Sequence, residues 1–155
     1  MTNKRGGPAI TAGGDKRITA IGKVLRRYKL DELPQLWNVV RGDMSLIGPR
    51  PEVPEFVNLE RPEWRGILSV RPGIADLATL VYRNEEEILA RASEPERFYR
   101  EVVLPEKMAL SLHCIRARSI RFDLKLLALT LRYSFMPHGF DAARIRRAFL
   151  FEEVA

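Results

Sequence analysis

Between Asp43 and Phe56 the chain carries Pro49, Pro51 and Pro54. Each lacks a backbone N–H and fixes its own φ, and each turns the preceding residue away from helical geometry. This stretch must therefore run extended or turn, and it separates the helical patterns that lie before and after it.

Those patterns are clear. Ile18, Ile21, Val24, Leu25 and Tyr28 share one helical face, with Lys23, Arg26 and Arg27 on the others. They predict a short helix over 19–28, in which Gly22 costs about 1 kcal/mol relative to alanine. Leu33, Leu36, Trp37 and Val40 follow the i, i+3, i+4, i+7 spacing of a second helix with one buried stripe. Asp31 is its expected N-cap, Pro34 falls in its first turn, and Gly42 is a natural stop. Further on, 84–92 reads as a short helix. Residues 94–118 read as a longer one, with Pro95 near its start and Pro105 breaking or kinking it, and with an apolar stripe of Met108, Leu112 and Ile115. Residues 119–135 and 141–153 complete the helical segments. "SVRPGIADL" (69–77) predicts a Pro-Gly turn, and "ATLVYR" (78–83) is the best strand candidate. The expected fold is mostly α with little β: a compact helical domain with proline-rich connectors.

At 155 residues the chain is expected to form one domain. The divisions are a flexible, glycine-rich lead-in over 1–14, a core over 15–136 and a helical tail over 137–155. The opening residues hold no apolar core segment of the kind a signal peptide has. The longest apolar run, 122–135, is interrupted by Asp123, Lys125 and Arg132 and is too short to span a bilayer. The apolar faces of 94–118 and 119–135 have two readings: they line the core, or, with their flanking Lys and Arg, they lie against lipid headgroups. The lone cysteine, Cys114, can form no internal disulfide, which fits a reducing compartment and a core thiol.

The net charge of +6, from 26 basic and 20 acidic residues, favours anionic partners without choosing among them. His113 and His138 lack a second ligand at zinc spacing, and there is no glycine-rich phosphate loop and no Ser-His-Asp pattern. What stands out is arginine beside rigid turns. Arg26 precedes Asp31 by five residues, Arg50 is clamped between Pro49 and Pro51, and Arg71 precedes Pro72 and Gly73. A guanidinium on a restricted backbone loses less entropy on binding and matches phosphate oxygens in bidentate fashion. Nucleic acid is disfavoured as the partner, because the arginines are not interleaved with stacking aromatics and carboxylates sit among them. On the residues alone the adjacent Asp31 and Glu32 keep two readings. They are an ordinary cap and first-turn acid, or they are a nucleophile and a metal ligand for phosphoryl chemistry. Arg50, likewise, is either a surface arginine or a phosphate contact.

The stretch "DKRITAIGKVLRRYKLDELPQLWNVVRGDMSLIGPRPEVPEF" resembles the catalytic core of the bacterial sugar transferases, the monotopic polyprenyl-phosphate glycosyl-1-phosphate transferases. The resemblance is continuous over about 15–57, where DELPQ, GDMS and GPRP stand in family order and spacing. It continues more loosely through "VRPGI" and "YRNEEEIL" to the helix before Phe135, covering about 120 residues.

The resemblance implies transfer of a sugar-1-phosphate from a UDP-sugar to polyprenyl (undecaprenyl) phosphate with release of UMP. Such a reaction starts polysaccharide or glycoconjugate assembly at the cytoplasmic face of the bacterial inner membrane. It implies that Asp31 is the nucleophile and that Glu32 holds Mg2+. Arg26, Arg50 and Arg71 become candidates for phosphate contacts, with Pro34, Pro49 and Pro51 positioning the motifs. Two departures accompany it. The family's membrane-inserted segment and the basic-aromatic stretch after it are missing ahead of the core, which implies a fragment or a truncated product. Where the family has a GITG-like loop, this chain has Gly73-Ile74-Ala75-Asp76. The alternative these departures raise is an inactive relic that binds a nucleotide sugar or a partner subunit.

Overall fold

The computed structural model describes residues 19, 21–22, 34–136 and 138–150. Its elements are α1 (Gln35–Arg41), β1 (Ser45–Ile47), a 3-10 turn (Pro54–Phe56), α2 (Pro62–Leu68), β2 (Gly73–Ala75), α3 (Leu77–Val81), α4 (Glu85–Ala90) and α5 (Pro95–Phe98), which leads through a π-helical turn (Tyr99–Val103) into α6 (Leu104–Arg116), followed by α7 (Ile120–Phe135) and α8 (Ala142–Leu150). The protein is mostly helical, with one small parallel sheet of two strands, β1 and β2.

Helix α6 is the central element. It packs against α2 and α3, and it buries Leu104, Met108, Leu110, Ser111 and Cys114. Around it lie Trp64 and Ile67 from α2, Leu77, Leu80 and Val81 from α3, Leu126 from α7, and Ile145 and Phe149 from α8. Each such side chain taken fully out of water contributes about 1.5–3 kcal/mol. Helix α7 begins where Ser119 accepts the Phe122 N–H at 3.2 Å, a true N-cap. Asp141 accepts from Ala143 and Arg144 at the start of α8.

The later helices follow the sequence pattern closely, and Pro105 sits in the first turn of α6, just after the π-helical turn that interrupts 94–118. Met108 is buried and Leu112 and Ile115 are half-buried, so the face of 94–118 that they mark belongs to the core. Gly42 ends α1 with φ 83°, a left-handed conformation that glycine adopts without a Cβ penalty.

Four expectations are corrected. "ATLVYR" is helix α3 at 77–81 and not a strand: Leu77, Ala78, Leu80 and Val81 are all buried, and a short run buried all round carries no period that separates strand from helix. Pro72-Gly73 makes no turn with a left-handed glycine; Gly73 opens strand β2 and its φ is not positive. Pro34 stands at the N-cap of α1, with φ −60° and ψ −23°, and not inside the first turn. The expected cap Asp31 lies outside the described residues. Finally, the stripe on α1 is open: Leu36, Trp37 and Val40 are 43%, 64% and 77% exposed. Periodicity identified an apolar face correctly, but among the described elements α1 meets chiefly β1, and none covers that face. Of the helix expected at 19–28, Thr19, Ile21 and Gly22 are described; Ile21 and Gly22 are helical and Thr19 is not. The lead-in over 1–14 lies outside the described residues.

Candidate active site

The proline-rich stretch and the Val-Arg-Pro-Gly stretch meet as the two strands of the sheet. β1 and β2 run parallel, with Ser45 opposite Gly73 and Ile47 opposite Ala75. Three further backbone bonds extend the pairing: Ser45 N–H to Pro72 C=O at 2.8 Å, Gly48 N–H to Ala75 C=O at 3.0 Å, and Gly73 N–H to Pro49 C=O at 3.0 Å. Parallel strands need a crossover, and here α2 supplies it, anchored to the core by Trp64 and Ile67.

Two glycines permit this approach. A Cβ on Gly73 would stand 2.1 Å from the Gly48 nitrogen, and one on Gly48 would stand 2.7 Å from the Arg71 carbonyl oxygen. Backbone packed on backbone leaves no room for either. The contact brings the turns that carry Arg50 and Arg71 together, with Pro49 buried between them and Pro51 exposed. Arg50 is half-buried and Arg71 is exposed. The Arg71 guanidinium reaches back to the end of α1, where its Nη1 lies 3.8 Å from the position a Cβ would take on Gly42. Thus Arg71 lies at the end of the helix that follows Asp31 and Glu32, and the turn that carries Arg50 is paired by backbone to the strand beside it. Arg26, Asp31 and Glu32 themselves lie outside the described residues.

Three groups to which the sequence assigns no role lie elsewhere in the described residues. Glu52, two residues past Arg50, accepts from the Tyr99 hydroxyl at 2.5 Å and pairs with Lys107 at 3.5 Å. Lys107 also pairs with Glu85 at 2.9 Å and donates to the Tyr99 hydroxyl at 3.0 Å. Burial, then the Glu52 carboxylate, pushes the Tyr99 phenol far above its ordinary range. A second network joins Tyr82, Glu106 and Arg146, with the Tyr82 hydroxyl donating to Glu106. There burial and the Glu106 carboxylate raise the Tyr82 phenol to about 12. These partners lie tens of residues apart, so no local pattern announces them.

The third group is Asp76, the last residue before α3, which is 1% exposed. Its Oδ2 accepts the Ser111 hydroxyl at 2.6 Å. Burial raises its pKa above the ordinary carboxyl value, against the opposing pull of Ser111 and the backbone N–H groups of Leu77, Ala78 and Arg50. Its Oδ1 completes no hydrogen bond. A cavity of about 30 Å3 adjoins it, walled by Thr79, Arg83, Thr130 and Ser134. The sequence marked this position only as a departure from the GITG-like loop.

No group of three His, Cys, Asp or Glu able to hold a metal occurs among the described residues, and no described helix is long and apolar enough to cross a membrane. Helix α7, however, leaves Ile120, Leu124, Leu131 and Phe135 exposed along one face.

The chain is similar in sequence to several known proteins. A UDP-N-acetylgalactosamine-undecaprenyl-phosphate N-acetylgalactosaminephosphotransferase of Aeromonas hydrophila is 46% identical over 85 residues, 53% of this chain and 20% of that relative. An undecaprenyl-phosphate glucose phosphotransferase of Komagataeibacter xylinus is 36% identical over 128 residues, 79% of this chain and 22% of the relative. A UDP-glucose:undecaprenyl-phosphate glucose-1-phosphate transferase of Caulobacter vibrioides is 33% identical over 136 residues, 84% of this chain and 47% of the relative. The chain thus spans less than half the length of each of these three relatives. The profile of the bacterial sugar transferases matches residues 1–137, both arginine turns included, and the chain belongs to that family.

Proposed function

We propose that the chain is the catalytic part of a phosphoglycosyl transferase that moves a sugar-1-phosphate from a UDP-sugar to polyprenyl phosphate. Asp31 attacks the sugar-proximal phosphorus; the bond from that phosphorus to the bridging oxygen breaks, and UMP leaves with the electron pair. A phosphate oxygen of the polyprenyl phosphate then attacks the same phosphorus and frees the Asp31 carboxylate. A carboxyl group with a reference pKa of about 3.9 is ionised at neutral pH and needs no base. It does need the charge of the diphosphate to be offset.

The observation that carries this reading is the backbone contact between the Gly-Pro-Arg-Pro turn and the Arg-Pro-Gly strand, which supports Arg50 and Arg71 as neighbouring phosphate contacts. Two guanidiniums on rigid backbone suit a diphosphate that presents oxygens over several ångströms. In this reading Arg26 adds a third phosphate contact. Glu32 would hold Mg2+; a magnesium ion is commonly bound by one or two carboxylates together with substrate phosphates, so a single protein ligand is compatible with the site. When bound, the ion supplies further neutralisation of the diphosphate. The names of the relatives support undecaprenyl phosphate as the acceptor. The exposed stripe of Ile120, Leu124, Leu131 and Phe135, flanked by Arg121 and Arg132, supports placement of α7 at the cytoplasmic face of the bacterial inner membrane, where a polyprenyl substrate resides.

The test is UMP release from a UDP-sugar in the presence of Mg2+ and detergent-solubilised polyprenyl phosphate. Release that depends on the lipid supports the transfer. UDP-sugar binding without UMP release, in folded protein, favours the inactive relic, to which the Ala75-Asp76 departure already points.

A further inference from the structure

Two buried polar atoms at the start of α3, Asp76 Oδ1 and Thr79 Oγ1, complete no hydrogen bond among the described residues. A buried polar group left so costs its full desolvation. Both residues line the same cavity of about 30 Å3, and so do Thr130 and Ser134 of α7, one helical turn apart. The protons of those two hydroxyls are already spent. Thr130 donates to the Leu126 carbonyl and Ser134 to the Thr130 carbonyl, each at 2.8 Å. Toward the cavity they can therefore only accept. Asp76 Oδ2 is taken by the Ser111 hydroxyl at 2.6 Å, which leaves Oδ1 as the carboxyl oxygen without a donor.

We propose that this cavity is a binding site for one buried water molecule, which accepts the Thr79 O–H and donates to Asp76 Oδ1 and to a hydroxyl of α7, so joining α7 to the start of α3. One water has the two protons and the lone pair that this set requires, and three bonds are typical of a buried water. The cavity is large enough to hold it. A cation would also meet four oxygens here, but Arg83 stands in the same wall and its positive charge disfavours one. Asp76 occupies the last position of the loop that is GITG-like in the family, and a glycine there has no carboxyl to offer. The site is thus built on this chain's own departure. It also reaches the sheet, because the Ala75 carbonyl beside it accepts the Gly48 N–H. None of this depends on the proposed reaction.

Two measurements on the whole chain test the site. Crystals grown at neutral pH in sodium salts and in rubidium salts should show the same density peak. It should lie about 2.7–3.2 Å from Asp76 Oδ1, Thr79 Oγ1 and one hydroxyl of Thr130 or Ser134. A dry cavity, a peak out of reach of α7, or a direct bond between Asp76 and Thr79 overturns the proposal. A peak that strengthens in rubidium is a cation and overturns it too. In urea titrations, Thr79→Val, which keeps the branched shape and removes the hydroxyl, should lower the folding equilibrium constant about tenfold. In a Thr130→Val/Ser134→Ala background the same change should lower it less than about threefold, because groups that share one water are not additive. Equal losses in the two backgrounds contradict a shared water, and where a variant does not fold the crystal density decides.

Discussion

The Tyr99 hydroxyl donates a 2.5 Å hydrogen bond to Glu52, 47 positions earlier in the chain. It ties the connector that carries Arg50 to the π-helical turn leading into α6, and Lys107 completes the tie by pairing with both Glu52 and Glu85. Lys107→Met leaves two largely buried carboxylates facing each other without a cation and should cost about 3 kcal/mol. Tyr99→Phe removes one bond to a charged acceptor but leaves Lys107 in place, and should cost about 1.5 kcal/mol. Urea midpoints measure both, and the order Lys107 above Tyr99 is the outcome to check.

Gly73→Ala should destabilise the protein by roughly 1–3 kcal/mol or more, because the new methyl group meets the backbone of Gly48, which cannot rotate away. Gly66→Ala provides the contrast. There the nearest atom is the flexible end of Leu112, and alanine is favoured over glycine within a helix by about 1 kcal/mol. Thermal unfolding of the two variants should shift in opposite directions.

Asp31→Asn should lower UMP release by about three orders of magnitude or more, the scale seen when a covalent nucleophile is removed, with the circular dichroism spectrum unchanged. Retention of most of the activity would exclude Asp31 as the attacking group.

Burial raises the Asp76 pKa above 3.8, so between that value and its folded-state pKa the native protein keeps a proton that the unfolded chain has lost. Stability from this group is therefore full at acid pH and declines as pH rises through the window. Asp76→Asn, which does not titrate, should gain on the unaltered protein as pH is raised from acid to neutral. Urea titrations across that range give the comparison, and a difference that does not vary with pH would contradict it. Cys114 and Arg83 are the neighbouring titratable groups.

Cys114 is buried, and burial followed by the charge of Asp76 raises its thiol to about 12. Because thiolate is the reactive form, a disulfide reagent at neutral pH should leave native protein unmodified and label it fully in denaturant. Fast labelling of folded protein would mean that α6 opens locally.

Much of the fold was legible because its later helices announce themselves. The pattern over 104–135 has the helical period, and Ser119 caps it. The short elements were not legible in the same way. Leu77–Val81 is buried on every side and presents no period, so its β-branched content misled, while the three-residue strands are defined by each other across a crossover and not by their own composition. At the site, Arg50 and Arg71 stood out because prolines and glycine flank them, and the structure places their turns in contact. Glu52, Tyr99 and Lys107 gave no sign, since charge partners 47 and 55 residues apart leave no trace in local spacing. Trp37 shows the converse limit, because periodicity marks a face as apolar without saying what it meets.

The contact between Gly48 and Gly73 closes a ring of chain whose far side is the exposed segment from Asn58 to Arg61. Closing such a ring costs entropy once, at folding, and afterwards the tether keeps the two arginine turns at a high mutual concentration. A protease that severs that distant segment would leave every residue of both turns intact while turning one tethered pair into two loose ends. A segment well removed from both turns along the chain would then act as their fuse.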